Sequence, residues 1–338
     1  MTSSNAPAAP LSPKERAGRT PLAEFTTKYA SQIGITVAFI ALWLVFLVLA
    51  RETFGSDRIY NSVAQTTPYF AIMPMAVTMV IGAGDIDLSF GSIMALGMVG
   101  FVWTWEATDN VLLGAVASLS VGAAAGLFNG LVVTIIGLPS LVVTIGTQFL
   151  FRGLMLVLVA GRSFSFGETR GDLAREAFVG KPFDVPMELW WLILVTIIAW
   201  VLLNRHRLGQ NTYVIGDNVQ TARLMGTPIK RTRVTLFVLS GLAAALAGLL
   251  NSLQFASFFP SMGSQILLPT LAAVFVGGTS VFGGRGSIYG TFLGAFMIGG
   301  IGAGIVAVGL TDFYTQLIYG AIILIAISIL AVLLRRCQ

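Results

Sequence analysis

Apolar residues in this chain fall into ten stretches separated by short polar segments. The first runs from Ile33 to Ala50, and the others lie at about 60–81, 88–105, 111–136, 140–160, 189–203, 234–256, 266–277, 288–309 and 313–334. About 20 apolar residues in a helix cross the hydrocarbon of a bilayer. The pattern therefore predicts an all-α integral membrane protein with about ten transmembrane or half-membrane helices.

The stretch 266–277 is too short to cross the bilayer comfortably, and Pro269 lies near its start. Proline is expected to kink the helix there. A helix that ends at membrane depth is tolerated only where protein or a water-filled cavity surrounds its ends. We expect a tilted or half-crossing helix beside an interior pathway.

Composition agrees with this pattern and argues against several classes of function. The chain is 56% hydrophobic and 10% charged, whereas a soluble domain is roughly a quarter charged. Its net charge of +5 is scattered between apolar stretches, so no nucleic-acid partner is expected. With Cys337 and His206 as the only residues of their types, neither a metal site nor a Ser-His-Asp site is expected. We therefore expect a protein that is not an enzyme.

The distribution of charge predicts the domain organisation and the orientation. Residues 1–29 are polar and rich in Ser, Pro and Ala, and we interpret them as a disordered cytoplasmic tail before one transmembrane domain at 30–336. Basic residues concentrate in this tail, in the connector 204–233 and near the C-terminus. Positive charge favours the cytoplasmic side. We expect a multi-pass membrane protein with both termini in the cytoplasm.

The connector 204–233 holds six of the twenty Lys and Arg residues and a single acid, Asp217. Within it, a short helix is predicted from Asn218 to Gly226. Asp217 or Asn218 can cap its first turn, and Gly226 followed by Pro228 ends it. A cytoplasmic helix between two membrane helices has no role inside the bilayer, so we expect it to contact another protein.

The longest predicted external loop, 161–188, has mixed charges and two prolines, Pro182 and Pro186. These features fit a folded cap or docking ledge. They fit a merely solvated connector equally well. Composition alone does not separate the two interpretations.

Two carboxylates and three glycines interrupt the apolar pattern at 82–92. Glycine permits a break in a helix, and Asp87 or Ser89 can cap the helix that resumes. An acid at membrane depth, as Asp85 and Asp87 are placed here, indicates a function. One interpretation is a structural cap that shapes a transport pathway, and the other is direct contact with cargo or a gate.

Glycine also recurs in and after the segment 277–286. This segment lacks the Lys and the following Ser or Thr of a nucleotide-binding loop, so we expect a tight cytoplasmic turn and no ATP site. Gly286, Gly290 and Gly294 repeat every four residues, a spacing that lets two membrane helices approach closely. This packing lies either within the chain or at a subunit interface.

Polar side chains occur inside several apolar stretches and near aromatic rings. Amides and hydroxyls beside aromatic faces suit a neutral polyhydroxylated cargo. Hydrogen bonding between helices, without cargo contact, explains them equally well. The residues are Asn129, Thr144, Thr147, Gln148, Asn251 and Gln254, near Phe128, Phe149 and Phe255.

Several segments together resemble one known family. They are GDIDLSFGSIMALG at 84–97, AAAGLFNGLVV at 123–133, LPSLVVTIG at 138–146, IGDNVQTARLMG at 215–226 and VGGTSVFGGRGSIYGTFLGA at 276–295. The chain resembles the permease subunit of bacterial ABC importers for ribose and related simple sugars, including xylose, arabinose and galactose. Order and spacing agree from about residue 30 to residue 334.

The resemblance implies a location in the bacterial inner (plasma) membrane and a set of partners. It implies a second copy or a sister permease, two cytoplasmic ATP-binding subunits that carry ATP and Mg²⁺, and a periplasmic substrate-binding protein. This chain itself is expected to bind no cofactor. The segment 215–226 resembles the family's coupling helix, which enters a groove on the ATPase. Asn218, Ala222, Arg223 and Gly226 are the positions carried over for this role.

The chain departs from many relatives where it reads QILLPTLAA at 265–273, because acidic residues often precede the Ala-Ala pair there. This leaves cargo contacts in that segment open. Two alternatives to the importer also stay open. One is an ion-coupled secondary carrier that uses Asp85 or Asp87, and the other is a passive channel. The residues do not distinguish a sugar from a sugar alcohol.

Overall fold

The computed structural model describes residues 30–169, 172–307 and 313–336. The predicted tail 1–29 and Cys337 lie outside these ranges. The described chain is helical apart from one short strand pair. In order, its elements are α1 Ala30–Leu49, α2 Arg51–Phe54, α3 Asp57–Gly82, α4 Phe90–Thr108, α5 Val111–Leu131, α6 Ser140–Val159, β1 Phe164–Ser165, α7 Leu173–Val179, α8 Met187–Asn204, α9 Arg207–Asp217, α10 Val219–Leu224, α11 Ile229–Phe255, β2 Ser257–Phe258, α12 Leu267–Val276, α13 Ile288–Ala307 and α14 Phe313–Arg336.

Each of the ten predicted apolar stretches corresponds to one of these helices. Among the described residues, seven helices are long and apolar enough to cross a membrane: α1, α4, α5, α6, α8, α11 and α13. Helix α12 has ten residues, about 15 Å, so it is too short to cross as expected. Helix α3 contains Pro68 and Pro74, and its second half is buried inside the bundle. The all-α membrane fold is confirmed.

The core of the bundle is formed by α3, α4, α5 and α11. Helices α5 and α11 approach each other closely because glycines meet at their crossing. A Cβ atom on Gly122 would overlap the Gly241 carbonyl, and one on Gly126 would overlap the Phe237 carbonyl. Small residues at such crossings allow van der Waals contact between backbones, which stabilises helix association in lipid.

Helices α12 and α13 pack together through the predicted glycine repeat. A Cβ atom on Gly290 would overlap the Gly277 carbonyl, and one on Gly294 would overlap the Ala273 carbonyl. Gly290 and Gly294 therefore pack within the chain, which is one of the two predicted interpretations. Gly286 precedes α13, which begins at Ile288, and faces the side chains of Thr78 and Thr279.

The described part of 161–188 is folded and packs on one end of the bundle. Strand β1 pairs antiparallel with β2, which follows α11. Phe166 is fully buried against the rings of Phe101 and Trp105. The Asp172 carboxylate caps α7 by accepting a hydrogen bond from the amide of Ala174 at 2.8 Å. Of the two interpretations of this loop, the structure supports the folded cap.

At the opposite end, the connector 204–233 holds a helix that the sequence interpretation missed. Helix α9 packs against α3, α8 and α11. Its buried positions are Gly209, Thr212 and Ile215, three residues apart along one face. With 11 residues and little apolar character, α9 depends on tertiary contacts, since isolated helices this short are marginal in water.

Candidate functional site

Helix α10 is the short helix predicted from Asn218 to Gly226, and both of its ends are formed as expected. The Asn218 side-chain oxygen accepts hydrogen bonds from the amides of Gln220 at 2.9 Å and Thr221 at 3.0 Å. At the other end Gly226 has φ +73°, a left-handed conformation that glycine adopts without steric cost. The amide of Thr227 then donates to the Ala222 carbonyl at 3.0 Å. The cap by Asn218 is confirmed.

The surface that α10 presents differs from the predicted one. Ala222 is fully buried against its own chain, and open space surrounds the Cα of Gly226. Ala222 therefore packs within its own chain, whereas a close contact of Gly226 with a partner stays a prediction. Arg223 is exposed, and next to it Leu224 and Met225 are 90% and 70% exposed. Two large apolar side chains on a charged connector are the feature that sequence reasoning overlooked.

Backbone contacts between glycines tie this connector to the bundle. Gly216 at the end of α9 leaves no room for a Cβ atom, which would overlap the Gly82 carbonyl and the Gly284 amide. That amide donates to the Gly82 carbonyl at 3.0 Å. Gly283 lies against Gly84 and Gly216. Three chain segments thus meet in a junction without intervening side chains: Gly82–Gly84, Gly216–Asp217 and Gly283–Gly284.

A hydrogen bond from Tyr213 of α9 supports the same junction. The Tyr213 hydroxyl donates to the Gly286 carbonyl at 2.8 Å. Burial raises the pKa of this phenol, so it stays protonated and remains a donor at neutral pH. The predicted tight turn at 277–286 is therefore anchored directly to α9.

The two predicted carboxylates lie in the break between α3 and α4, close to this junction. Asp85 forms an ion pair with Arg233 of α11 at 2.8 Å. Asp87 is fully buried and accepts three hydrogen bonds: from the amide of Ser89 at 2.9 Å, from its hydroxyl at 2.7 Å, and from the Ser240 hydroxyl at 2.7 Å. Both carboxylates are thus engaged within the chain.

Ser89 and Asn129 extend this polar cluster to α5. The Asn129 amide donates to the Ser89 hydroxyl at 2.7 Å, and both side chains are fully buried. Ser89 occupies the N-cap position of α4, yet its hydroxyl binds Asp87 rather than the first-turn amides. The expectation that Asp87 or Ser89 caps α4 through its side chain is wrong, because Asp87 competes for the hydroxyl.

Helix α6 holds the same break from the other side. The amide of Ile86 donates to the Ser140 hydroxyl at 2.9 Å, and the Thr144 hydroxyl donates to the Ile86 carbonyl at 3.1 Å. For Asn129 and Thr144 the structure therefore supports hydrogen bonding between elements. Four helices, α4, α5, α6 and α11, meet at the break through polar groups.

The remaining predicted pathway residues lie apart from this cluster. Gln148, Asn251 and Gln254 are half-buried. Phe255 is exposed at the end of α11, where its ring packs against that of Tyr69 with centroids 5.9 Å apart. The structure does not join these four side chains to Asp87, and their place in a transport pathway stays a prediction.

Arg152, which had no predicted role, lies in the second half of α6. Its guanidinium donates to the carbonyls of Pro260 at 2.7 Å and Met262 at 2.8 Å. A charged side chain within an apolar helix is costly unless polar groups surround it. The presence of an arginine in this apolar stretch is therefore the sequence signal for a structural or functional role. Arg152 therefore holds the segment between β2 and α12 against α6.

Replacing Asp87 is expected to destabilise this cluster. In Asp87→Ala the hydroxyls of Ser89 and Ser240 lose their acceptor, at a cost of about 2 kcal/mol. The apparent Tm of the purified protein should fall by about 4 °C, whereas Asp87→Asn keeps an acceptor oxygen and should lose less. Thermal denaturation monitored by size-exclusion chromatography measures this. Equal Tm values for the two variants and the wild type would contradict it.

Comparison with known proteins agrees with this architecture. Residues 59–327 match the family described as branched-chain amino acid transport system / permease component. The ribose import permease protein RbsC of Escherichia coli K12 is 31% identical over 306 residues, which cover 90% of this chain and 95% of that protein. The autoinducer 2 import system permease protein LsrD of Salmonella paratyphi A is 30% identical over 318 residues, 92% of this chain and 94% of that protein.

No solved structure matches the chain significantly. The family match and the two relatives each span most of the described helices, including the break at Asp85 and Asp87 and the connector with α10. The long apolar helices place the chain in a membrane as a multi-pass protein. The chain therefore belongs to this family of membrane-spanning permease subunits of ABC importers.

Proposed function

We propose that this chain is the transmembrane subunit of an importer that carries a simple sugar or a sugar alcohol into the cytoplasm. The cargo class is supported by the ribose permease of E. coli, which aligns over nearly its whole length. The autoinducer 2 permease aligns over a similar share. The chain acts without catalysing a reaction, and ATP and Mg²⁺ bind to a separate ATPase subunit.

The observation that carries the proposal is the surface of α10. Leu224 and Met225 are the large apolar side chains that this basic connector exposes. Adjacent exposed apolar side chains with polar residues around them mark sites of contact with another protein. The partner proposed here is the ATP-binding subunit, and the connector then lies on the cytoplasmic side with both chain termini.

The junction of glycine segments offers a route for force from that partner. Because Gly82–Gly84, Gly216–Asp217 and Gly283–Gly284 contact one another through backbone atoms, α9 cannot move without displacing the break before α4. Packed elements of this kind switch between discrete arrangements. We propose that ATP binding draws the coupling helices of two permease copies, or of this chain and a sister permease, together and so reverses access to the pathway.

The ion-coupled carrier is disfavoured by the state of the two carboxylates. A coupling-ion site needs an acid that is available to the ion, whereas Asp85 is paired with Arg233 and Asp87 accepts three hydrogen bonds. The same polar groups, with Asn129, instead hold three helices, α4, α5 and α11, together at the break. Their proposed role is to shape the gate.

The energy source provides a direct test of the proposal. Uptake by cells that contain the whole importer should stop when ATP is depleted and continue when a protonophore collapses the proton gradient. The cargo is identified first by a thermal-shift screen of the periplasmic binding protein against pentoses, hexoses and polyols. Uptake that survives ATP depletion but stops with the protonophore would overturn the importer in favour of the carrier. Transport by the purified chain alone in vesicles would favour a channel.

A further inference from the structure

A pocket of about 550 Å³ lies between the end of α5 and the start of α11. One wall is the π-helical turn Val132–Ile136 that follows α5, and the other is formed by the residues around Pro228. Helices that cross a membrane end near its surface, and both α5 and α11 are long and apolar enough to cross. The pocket therefore opens at the boundary between hydrocarbon and water. π-helical turns are frequent at functional sites.

The charge of the pocket is strongly positive. Arg223, Lys230, Arg231 and Arg233 line it, and the described lining residues include no Asp or Glu. Arg233 pairs with Asp85, whereas the other three form no ion pair within the part of the chain that the structure describes. Three basic side chains that converge on one concave site are suited to an anion such as a phosphate group.

Apolar side chains beside the pocket indicate where this anion comes from. Ile135 and Ile136 are exposed at the end of the same turn, and Leu138 is exposed two residues after it. A free phosphate ion would make no contact with these apolar side chains, whereas the acyl chains of a phospholipid can pack against them. Basic pockets between membrane helices on the positively charged side bind anionic headgroups.

We infer that this pocket binds the phosphate headgroup of an anionic phospholipid through Arg223, Lys230 and Arg231, with its acyl chains along Ile135 and Ile136. Because Arg223 belongs to α10 and Arg231 to α11, the lipid links the coupling helix to the end of α5. Leu224 and Met225 follow Arg223 directly but do not line the pocket. The inference does not depend on the cargo or on an ATPase partner.

The test measures lipid selectivity of the full chain in bilayers that contain spin-labelled phosphatidylglycerol or phosphatidylcholine. In the double variant Lys230→Gln, Arg231→Gln, preference for phosphatidylglycerol is expected to fall by about 30-fold, since each of the two charges near the surface contributes about 1 kcal/mol. The control Arg205→Gln, Arg207→Gln removes the same charge from the same connector outside the pocket. The control should lose clearly less of the preference for phosphatidylglycerol than the pocket variant does. Equal losses in the two variants would overturn the site.

Two further measurements test whether the lost preference reflects lipid binding at this pocket. Lys230→Arg retains the charge and should retain the selectivity, which excludes a general effect of mutating this position on folding. Excess inorganic phosphate should leave phosphatidylglycerol in place, because it lacks the acyl chains. If phosphate displaces the lipid completely, the ligand is a free anion and the lipid assignment fails. If the wild-type chain without partner subunits shows no preference, the inference also fails.

Discussion

Replacing Leu224 and Met225 together by aspartate is expected to abolish transport. If Leu224 and Met225 occupy an apolar groove on the ATPase, the double variant loses their apolar contacts. Two carboxylates must then also be desolvated in that groove. Loss of central apolar anchors costs about 2 to 4 kcal/mol, or about 30-fold to 1,000-fold in affinity. Copurification of the ATP-binding subunit and uptake of the cargo in cells should both fall by this factor, while membrane insertion stays normal.

The matched control exchanges the two side chains, Leu224→Met with Met225→Leu. It keeps the apolar area of α10 and should keep most of the transport activity. Both double variants leave Asn218, Ala222 and Gly226 intact, so the helix itself should form in each. Normal copurification of the ATPase with the aspartate variant would remove α10 from the docking surface.

A methyl group at the glycine junction is expected to have the second large effect. In Gly216→Ala the new Cβ atom would overlap backbone atoms of Gly82 and Gly284, neither of which can rotate away. Overpacking of this kind costs about 3 kcal/mol, so the apparent Tm should fall by about 6 °C. The transport rate should fall by more than the loss of stability explains. The new methyl group separates the backbone contact through which α9 is proposed to move the break before α4.

Gly146→Ala provides the comparison, since nothing lies within 4 Å of a Cβ atom at that position. It makes the same chemical change within a membrane helix and should leave the Tm nearly unchanged or slightly raised, because alanine favours helix more than glycine does. A Gly216→Ala protein that is as stable and as active as Gly146→Ala would show that the junction has space to yield.

The sequence predicted those features that depend on local pattern and length. Helices α1, α5 and α11 follow from apolar stretches that must satisfy their own backbone hydrogen bonds in lipid. The cap by Asn218 and the left-handed turn at Gly226 follow from residue types with strong positional preferences. The family could also be identified, because its motifs occur in order along most of the chain.

Other features of the candidate site could not be predicted in this way. The partners of Asp87 are Ser89 nearby and Ser240 more than 150 residues away, and no periodicity connects the latter pair. Ala222 and Leu224 lie two residues apart on one short helix, yet the first is buried and the second is almost fully exposed. The direction that α10 faces depends on where α9 packs, and α9 has too weak a pattern to be found alone.

By itself, then, the sequence determined an all-α membrane protein with short and long helices in the observed order, a basic connector and a break between α3 and α4. These properties are local, since hydrophobicity over about 20 residues and the preferences of glycine, proline and asparagine decide them. Only the tertiary structure decided that three glycine segments meet, that the carboxylates are already paired, and that four basic residues surround one pocket. Such contacts depend on close packing between segments that are distant in sequence. Whether a residue lacks a side chain, as glycine does, decides how closely two backbones approach.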